Sequence, residues 1–183
     1  MKAVFNKLLN DNINCKIVRI LAAWYSTQTC SVKWGGVTAL RFCIGNGTRQ
    51  GGVISPYLFA RYIRELLGSV RNTGIGCFVG DVCMNILAYA DDIVVLAPSW
   101  YALQMLLNVL HSQSILIDVS CNVNKTVCMI FKPKRQSSII RGQFPPFRIG
   151  ANCVQYVSDF QIPGRMMVIF VGKSDVCLPD VIC

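Results

Sequence analysis

Two adjacent carboxylates inside a strongly apolar stretch, Leu87-Ala88-Tyr89-Ala90-Asp91-Asp92-Ile93-Val94-Val95-Leu96, constrain this chain more than any other feature. Ile86, Ile93, Val94 and Val95 favour strands. Two short strands around an acidic pair predict a hairpin with its charges at the tip, where Asp tolerates a left-handed conformation. Adjacent anions within a buried strand pair would need a counter-charge. No Lys or Arg lies between Val82 and Lys125, so no local side chain supplies one. An ordinary solvated turn answers the difficulty. So does a divalent cation, since hard oxygen ligands suit Mg²⁺, which takes one or two carboxylates plus substrate phosphates.

The segment Gly45-Asn46-Gly47-Thr48-Arg49-Gln50-Gly51-Gly52-Val53-Ile54-Ser55-Pro56 reads as a glycine-rich loop entering a capped helix. Ser55 is expected at the N-cap and Pro56 at the first helical position. Leu58, Phe59, Tyr62, Ile63, Leu66 and Leu67 carry the apolar face, with the stop near Gly68. The loop lacks GK[ST], so it is not a P-loop. Pro98-Ser99 opens another helix, whose face is Leu103, Leu106, Leu107 and Leu110. His111, near its end, reads as a surface residue. Asn122-Val123-Asn124-Lys125-Thr126 precedes a strand over Val127–Phe131.

The N-terminal 27 residues read as helical, interrupted at Asn10-Asp11-Asn12. Cys30, Val32 and Trp34 alternate with polar residues. Gly35-Gly36 suits a two-residue hairpin turn, and Val37 to Phe42 returns.

Taken together, these motifs resemble the reverse transcriptases of non-LTR retrotransposons. Tyr89-Ala90-Asp91-Asp92 resembles the family's metal-binding signature. Arg49-Gln50-Gly51-Gly52, with Ser55-Pro56 and Leu58-Phe59, resembles its loop and helix for template and incoming nucleotide. Asn122-x-x-Lys125-Thr126 resembles the motif whose lysine sits beside the triphosphate. The resemblance implies an α+β fold: a polymerase palm, an antiparallel sheet backed by helices, with part of the fingers and incomplete on the N-terminal side. It implies RNA-directed DNA synthesis by two-metal nucleotidyl transfer in the intact parent. Asp91 and Asp92 would be catalytic metal ligands and Lys125 a catalytic lysine. Arg49, Gln50, Gly51 and Tyr89 would serve nucleotide and template. The cofactor would be Mg²⁺, with Mn²⁺ as the substitute. The partners would be an RNA template, a DNA primer and deoxynucleoside triphosphates.

The match covers about residues 5–160, so the expected division is a partial reverse transcriptase domain over 1–160 and a divergent tail over 161–183. Phe147-Arg148-Ile149-Gly150 and Val154 to Phe160 look like the strand pair ahead of the family's primer-gripping turn. Gln161-Ile162-Pro163-Gly164 matches that turn poorly. The family's earlier aspartate, on an apolar strand ahead of the glycine-rich loop, has no counterpart. The only acid before Gly51 is Asp11, in a polar break. Asp118 has an apolar setting, as a permuted site would need, but aligns elsewhere. The expected start falls after the missing strand. The alternative is therefore an inactive remnant that at most binds nucleic acid or a partner protein, and the chain alone is expected to be inactive.

Composition agrees. The net charge of +9, with Lys132, Lys134, Arg135, Arg141 and Arg148 in an acid-free stretch, favours a polyanionic partner. Ten cysteines without a CxxC pair, beside a single histidine, offer no zinc site. They are expected to be mostly buried small hydrophobes. No apolar run reaches the roughly 18 residues of a membrane span. The N-terminus lacks a signal peptide's apolar core. No membrane partner and an intracellular setting, nucleus or cytoplasm, are expected.

Overall fold

The computed structural model describes residues 2–44, 47, 51–132, 145–157, 160–161 and 166–171. They belong to two compact units, one up to Arg64 and the other over Glu65–Cys177.

The first unit begins with two helices, α1 (Lys2–Asn10) and α2 (Cys15–Ser26). They are separated where the sequence predicts, at Asn12, which takes a left-handed φ of 59°. Asn14 caps α2, its side chain accepting from the Lys16 amide at 2.9 Å. Short strands β1 (Thr29–Cys30), β2 (Lys33–Trp34), β3 (Val37–Thr38) and β4 (Phe42–Cys43) follow. β2 and β3 form a hairpin around Gly35-Gly36, both at positive φ, as the two-residue turn demands. β1 pairs with β4 beyond it. Helix α3 (Ser55–Arg71) starts at Ser55, and the Ile54 carbonyl accepts the first helical bond, from Leu58. The cap therefore lies one residue earlier than expected. The helix also runs through Gly68 rather than stopping there; the Leu66 and Val70 faces are buried and carry it on.

Val4, Leu8, Val18, Tyr25 and Leu58 make the core of this unit. Burying Leu8 and Leu58 is worth about 1.5–3 kcal/mol each. Asp11 pairs with Arg61 and, at 3.3 Å, with Arg64. The one acid ahead of Gly51 is thus neutralised within this unit.

The second unit holds a hairpin of β5 (Cys77–Val79) and β6 (Val82–Met84), then the acidic hairpin of β7 (Ile86–Tyr89) and β8 (Asp92–Ala97). Helix α4 (Trp100–Leu116) is capped by Ser99, whose side chain accepts from the Ala102 amide. β9 (Val127–Lys132), a hairpin of β10 (Arg148–Ile149) and β11 (Asn152–Cys153), β12 (Gln155–Tyr156), β13 (Phe160–Gln161) and β14 (Met166–Val171) complete it. The main sheet has the order β12-β9-β14-β8-β7, with β13 also on β9. It is antiparallel from β7 to β9, whereas β12 and β13 run parallel to β9.

The apolar face of α4 covers the sheet. Leu103, Leu106, Leu107 and Leu110 are fully buried, in one cluster with Leu66, Val70, Ile93, Val95, Ala97 and Cys128. Gln104 bonds both the amide and the carbonyl of Arg148, each at 2.9 Å, and Trp100 stacks on Phe147 at 5.7 Å. The mixture of helices and small sheets agrees with the expected α+β class. Of the eight cysteines whose burial is described, only Cys128 is buried, which corrects the expectation for the rest. Cys15 opens α2, Cys121 lies ahead of β9, and Cys30, Cys43, Cys77, Cys83 and Cys153 stand on strands of two or three residues. Among the described residues no helix is long and apolar enough to cross a membrane.

Candidate functional site

The acidic hairpin closes tightly. Tyr89 pairs with Asp92, so Ala90 and Asp91 form the turn and Asp92 opens β8. Ala90, not an aspartate, takes the left-handed conformation, at φ 53°. A Cβ there costs roughly 1–2 kcal/mol. The turn is wetter than its sequence implies. Tyr89 is 83% exposed, Leu87 and Ala88 are exposed, Asp92 is exposed and Asp91 half-buried. Only β8 is buried along one face, through Ile93, Val95 and Ala97. Among the described residues β7 lies at the sheet edge, which leaves this side of the turn open to water.

Asn85 positions this hairpin, and sequence reading missed it. It is 1% exposed. Its Nδ2 donates to the carbonyls of Val70 (2.8 Å) and Ile75 (2.9 Å), tying the end of α3 to the start of β7. The main-chain carbonyl of Asn85 accepts from the Leu96 amide at 2.9 Å. Gly76 admits it: a Cβ on Gly76 would lie 2.3 Å from that of Asn85. A polar residue between two strand-like segments was the available signal.

Local hydrogen bonds shape the Lys125 motif. The Asn122 side chain accepts from the Lys125 amide at 3.2 Å, and the Asn122 carbonyl accepts from the Thr126 hydroxyl at 2.8 Å. Thr126 is fully buried, while Lys125 is exposed. Asn122 and Thr126 thus shape a turn that presents Lys125 immediately ahead of β9.

The pairing registers bring Lys125 and the acidic turn to one end of the sheet. Phe170 of β14 is opposite Val94 on one side and Val127 on the other. Asp92 lies two residues before Val94, and Lys125 two before Val127. Two strand spacings separate the rows, about 10 Å.

Gly51 lies in the first unit at φ 76°, in a turn with open space where a Cβ would be. Its conformation requires glycine; close packing does not. Arg49 and Gln50 lie outside the described residues, as do Lys134, Arg135 and Arg141. Asp118 falls in the turn ending α4, at φ 54°, beside Ile115, Val119 and Ser120. It is a helix-terminal residue, not a strand residue.

Two adjacent carboxylates at an open turn fit a hard cation that takes its remaining ligands from a substrate. Among the described residues no three His, Cys, Asp or Glu side chains gather into a metal cluster. Among the described residues the turn's two carboxylates are thus its only clustered donors.

Comparison with known proteins agrees with the motifs. Residues 4–159 match the family model described as reverse transcriptase (RNA-dependent DNA polymerase). The chain is 32% identical over 157 residues to the retrovirus-related Pol polyprotein from type-1 retrotransposable element R2 of Popillia japonica, a match covering 85% of this chain and 22% of that protein. It is 29% identical over 130 residues to the Pol polyprotein from type-2 retrotransposable element R2DM of Drosophila melanogaster, covering 70% of this chain and 12% of that protein. The matches thus span less than a quarter of either relative. Together, the matched model and these relatives place the chain in the reverse transcriptase family, as a partial domain of the non-LTR retrotransposon kind.

Proposed function

We propose that the Asp91–Asp92 turn and Lys125 form the metal- and triphosphate-facing side of a nucleotidyl-transfer site for RNA-directed DNA synthesis. One observation carries this reading: the registers of β8, β14 and β9 set the carboxylates and the lysine at the same end of one sheet. Asp91 and Asp92 would hold Mg²⁺, or Mn²⁺ in its place, through hard oxygen ligands. Such an ion would offset triphosphate charge and favour ionisation of the primer hydroxyl. Lys125, exposed beside β9, would neutralise the departing phosphates. Gln50 and Gly51 would contact the nucleotide or template, with Arg49 supporting them, and Tyr89 would lie against the nucleotide. The substrates would be an RNA template, a DNA primer and deoxynucleoside triphosphates.

Binding of a fluorescent deoxynucleoside triphosphate, titrated with Mn²⁺, tests the reading. The expected result is metal-dependent binding that falls about tenfold or more in Asp91→Asn, corresponding to at least ~1.4 kcal/mol. Identical binding by the parent chain and Asp91→Asn would overturn it.

A further inference from the structure

Two positions in the sheet flank the carboxylate turn. One is the outer edge of β7, unpaired among the described residues. The other is the strand beside β8, and β14 occupies it. β14 pairs with β8 from Met167 to Val171 and with β9 from Met166 to Phe170, antiparallel to both. It is the only described strand joining the β7–β8 hairpin to β9, β12 and β13. It runs toward the acidic turn, and its last pair, Val171 with Ile93, stops one residue short of Asp92. The strand reads Met166-Met167-Val168-Ile169-Phe170-Val171 and contains no hard-oxygen side chain.

A carboxylate facing Asp91 and Asp92 from the interior of this sheet must come from the strand beside β8. Among the described residues that position is filled by β14, whose six residues offer no hard-oxygen ligand. We propose that β14 is a self-complementing strand: it holds the position beside β8 from which a second carboxylate-bearing strand would face the Asp91–Asp92 turn, so the pairing that completes the sheet also keeps that carboxylate out. Its consequence for chemistry rests on the nucleotidyl-transfer reading; the strand placement does not. Backbone pairing is tolerant of side-chain sequence. An antiparallel apolar strand ending in an aspartate can therefore compete for the same registers.

Hydrogen exchange on the full chain tests the placement. Amides of β14 and of Ile93–Ala97 in β8 should be protected to within about tenfold of one another, as one cooperative unit. Exchange of β14 about a hundredfold faster than β8 would overturn the proposal without any variant. In Ile169→Pro, which removes a ladder donor, β8 amides should exchange at least about tenfold faster while Leu103–Leu110 in α4 stay protected. Unchanged β8 protection, or loss of α4 protection together with β8, would overturn a displaceable strand.

The probe for exchange is a synthetic peptide carrying the six residues of β14, then an aspartate and two solubilising lysines. Added to Ile169→Pro, it should restore β8 protection. It should also tighten Mn²⁺ binding, read by electron paramagnetic resonance, about tenfold over the same peptide ending in asparagine. Equal Mn²⁺ binding with both peptides would overturn the carboxylate exclusion. Loss of metal binding by the parent chain in Asp91→Asn reads the nucleotidyl-transfer site separately.

Discussion

Asp92 and Lys125 occupy equivalent places at one end of the sheet, each two residues ahead of a residue paired with Phe170. The lysine is thereby held about two strand spacings, or ~10 Å, from the carboxylate row. In the proposed site its charge would act on an anion that bridges that interval rather than on an ion at the turn. Lys125→Ala should weaken triphosphate binding about tenfold, or ~1.4 kcal/mol, while leaving nucleotide-free Mn²⁺ binding unchanged. Lys125→Arg should retain most of the affinity. Titrating the ion and the nucleotide separately checks both.

Gly76 and Asn85 form a matched pair behind the acidic hairpin. Gly76 has φ 146°, and a Cβ there meets the Asn85 Cβ at 2.3 Å. Gly76→Ala should cost about 1–3 kcal/mol through overpacking. Asn85→Ala abandons two carbonyls, those of Val70 and Ile75, at about 1–3 kcal/mol each where they stay buried. Because Asn85→Ala keeps the Cβ, it should not rescue Gly76→Ala, whereas Asn85→Gly should relieve part of the clash. Urea denaturation of the single and double variants measures this.

Elements with a local signal were legible in the sequence. The leucines of α4 follow the helical period because one helix face is buried. The acidic pair marks a turn because alternating strand residues stop there. Gly35-Gly36 marks a hairpin because both positions need positive φ. The place of β14 could not be read. Its residues are those of any buried strand, and its position between β8 and β9 is set by long-range pairing. The exposure of Leu87 and Tyr89 was hidden for a related reason: β7 is apolar yet lies at an edge among the described strands. The roles of Asn122 and Thr126 were also obscure, since hydrogen bonds that shape a turn leave no periodicity. Of the site itself, the acidic turn and the lysine were visible as motifs, while their common end of the sheet required the registers.

The net charge of +9 should produce sequence-tolerant nucleic-acid binding, because neutralising phosphates releases counterions. Affinity for a labelled RNA–DNA primer-template should fall by about tenfold or more between 50 and 200 mM salt, given several phosphate contacts. Fluorescence anisotropy at the two salt concentrations checks it. Salt-independent affinity, or none at low salt, would rule out an electrostatic groove.

Stability should fall at alkaline pH. Burial pushes the Cys128 thiol up to about 12. Burial, with Cys128 nearby, also pushes the Tyr156 phenol to about 12. In the unfolded chain these groups ionise at their ordinary values of 9.0 and 10.0. Above pH 9 the unfolded state therefore sheds protons that the folded state keeps, so the stabilisation is complete below pH 9 and lost as pH rises toward 12. Urea midpoints should be flat, as far as these two groups are concerned, from pH 7 to 8.5 and should decline above 9. Cys128→Ala should reduce that decline despite lowering stability at neutral pH.

The 183-residue chain is expected not to extend a primer. Asp91 and Asp92 come from a single turn and would approach an ion from one side. Among the described residues the strand beside β8 brings no carboxylate to the other side, and Asp11 is held by Arg61 and Arg64. Phosphoryl transfer depends on positioning and on charge stabilisation, so an ion lacking an opposing ligand forfeits most of the acceleration. The assay is extension of a DNA primer on an RNA template with Mg²⁺. It compares this chain with one preceded by an apolar strand carrying an aspartate. If the preceded chain extends, Asp91→Ala should abolish its activity, and Lys125→Ala should slow it without abolishing it. Ile169→Pro in the preceded chain should raise activity, because β14 no longer competes for the position beside β8. Extension by the short chain that vanishes in Asp91→Ala would refute the expectation, and its loss in Asp118→Ala would assign the opposing carboxylate to the turn that ends α4.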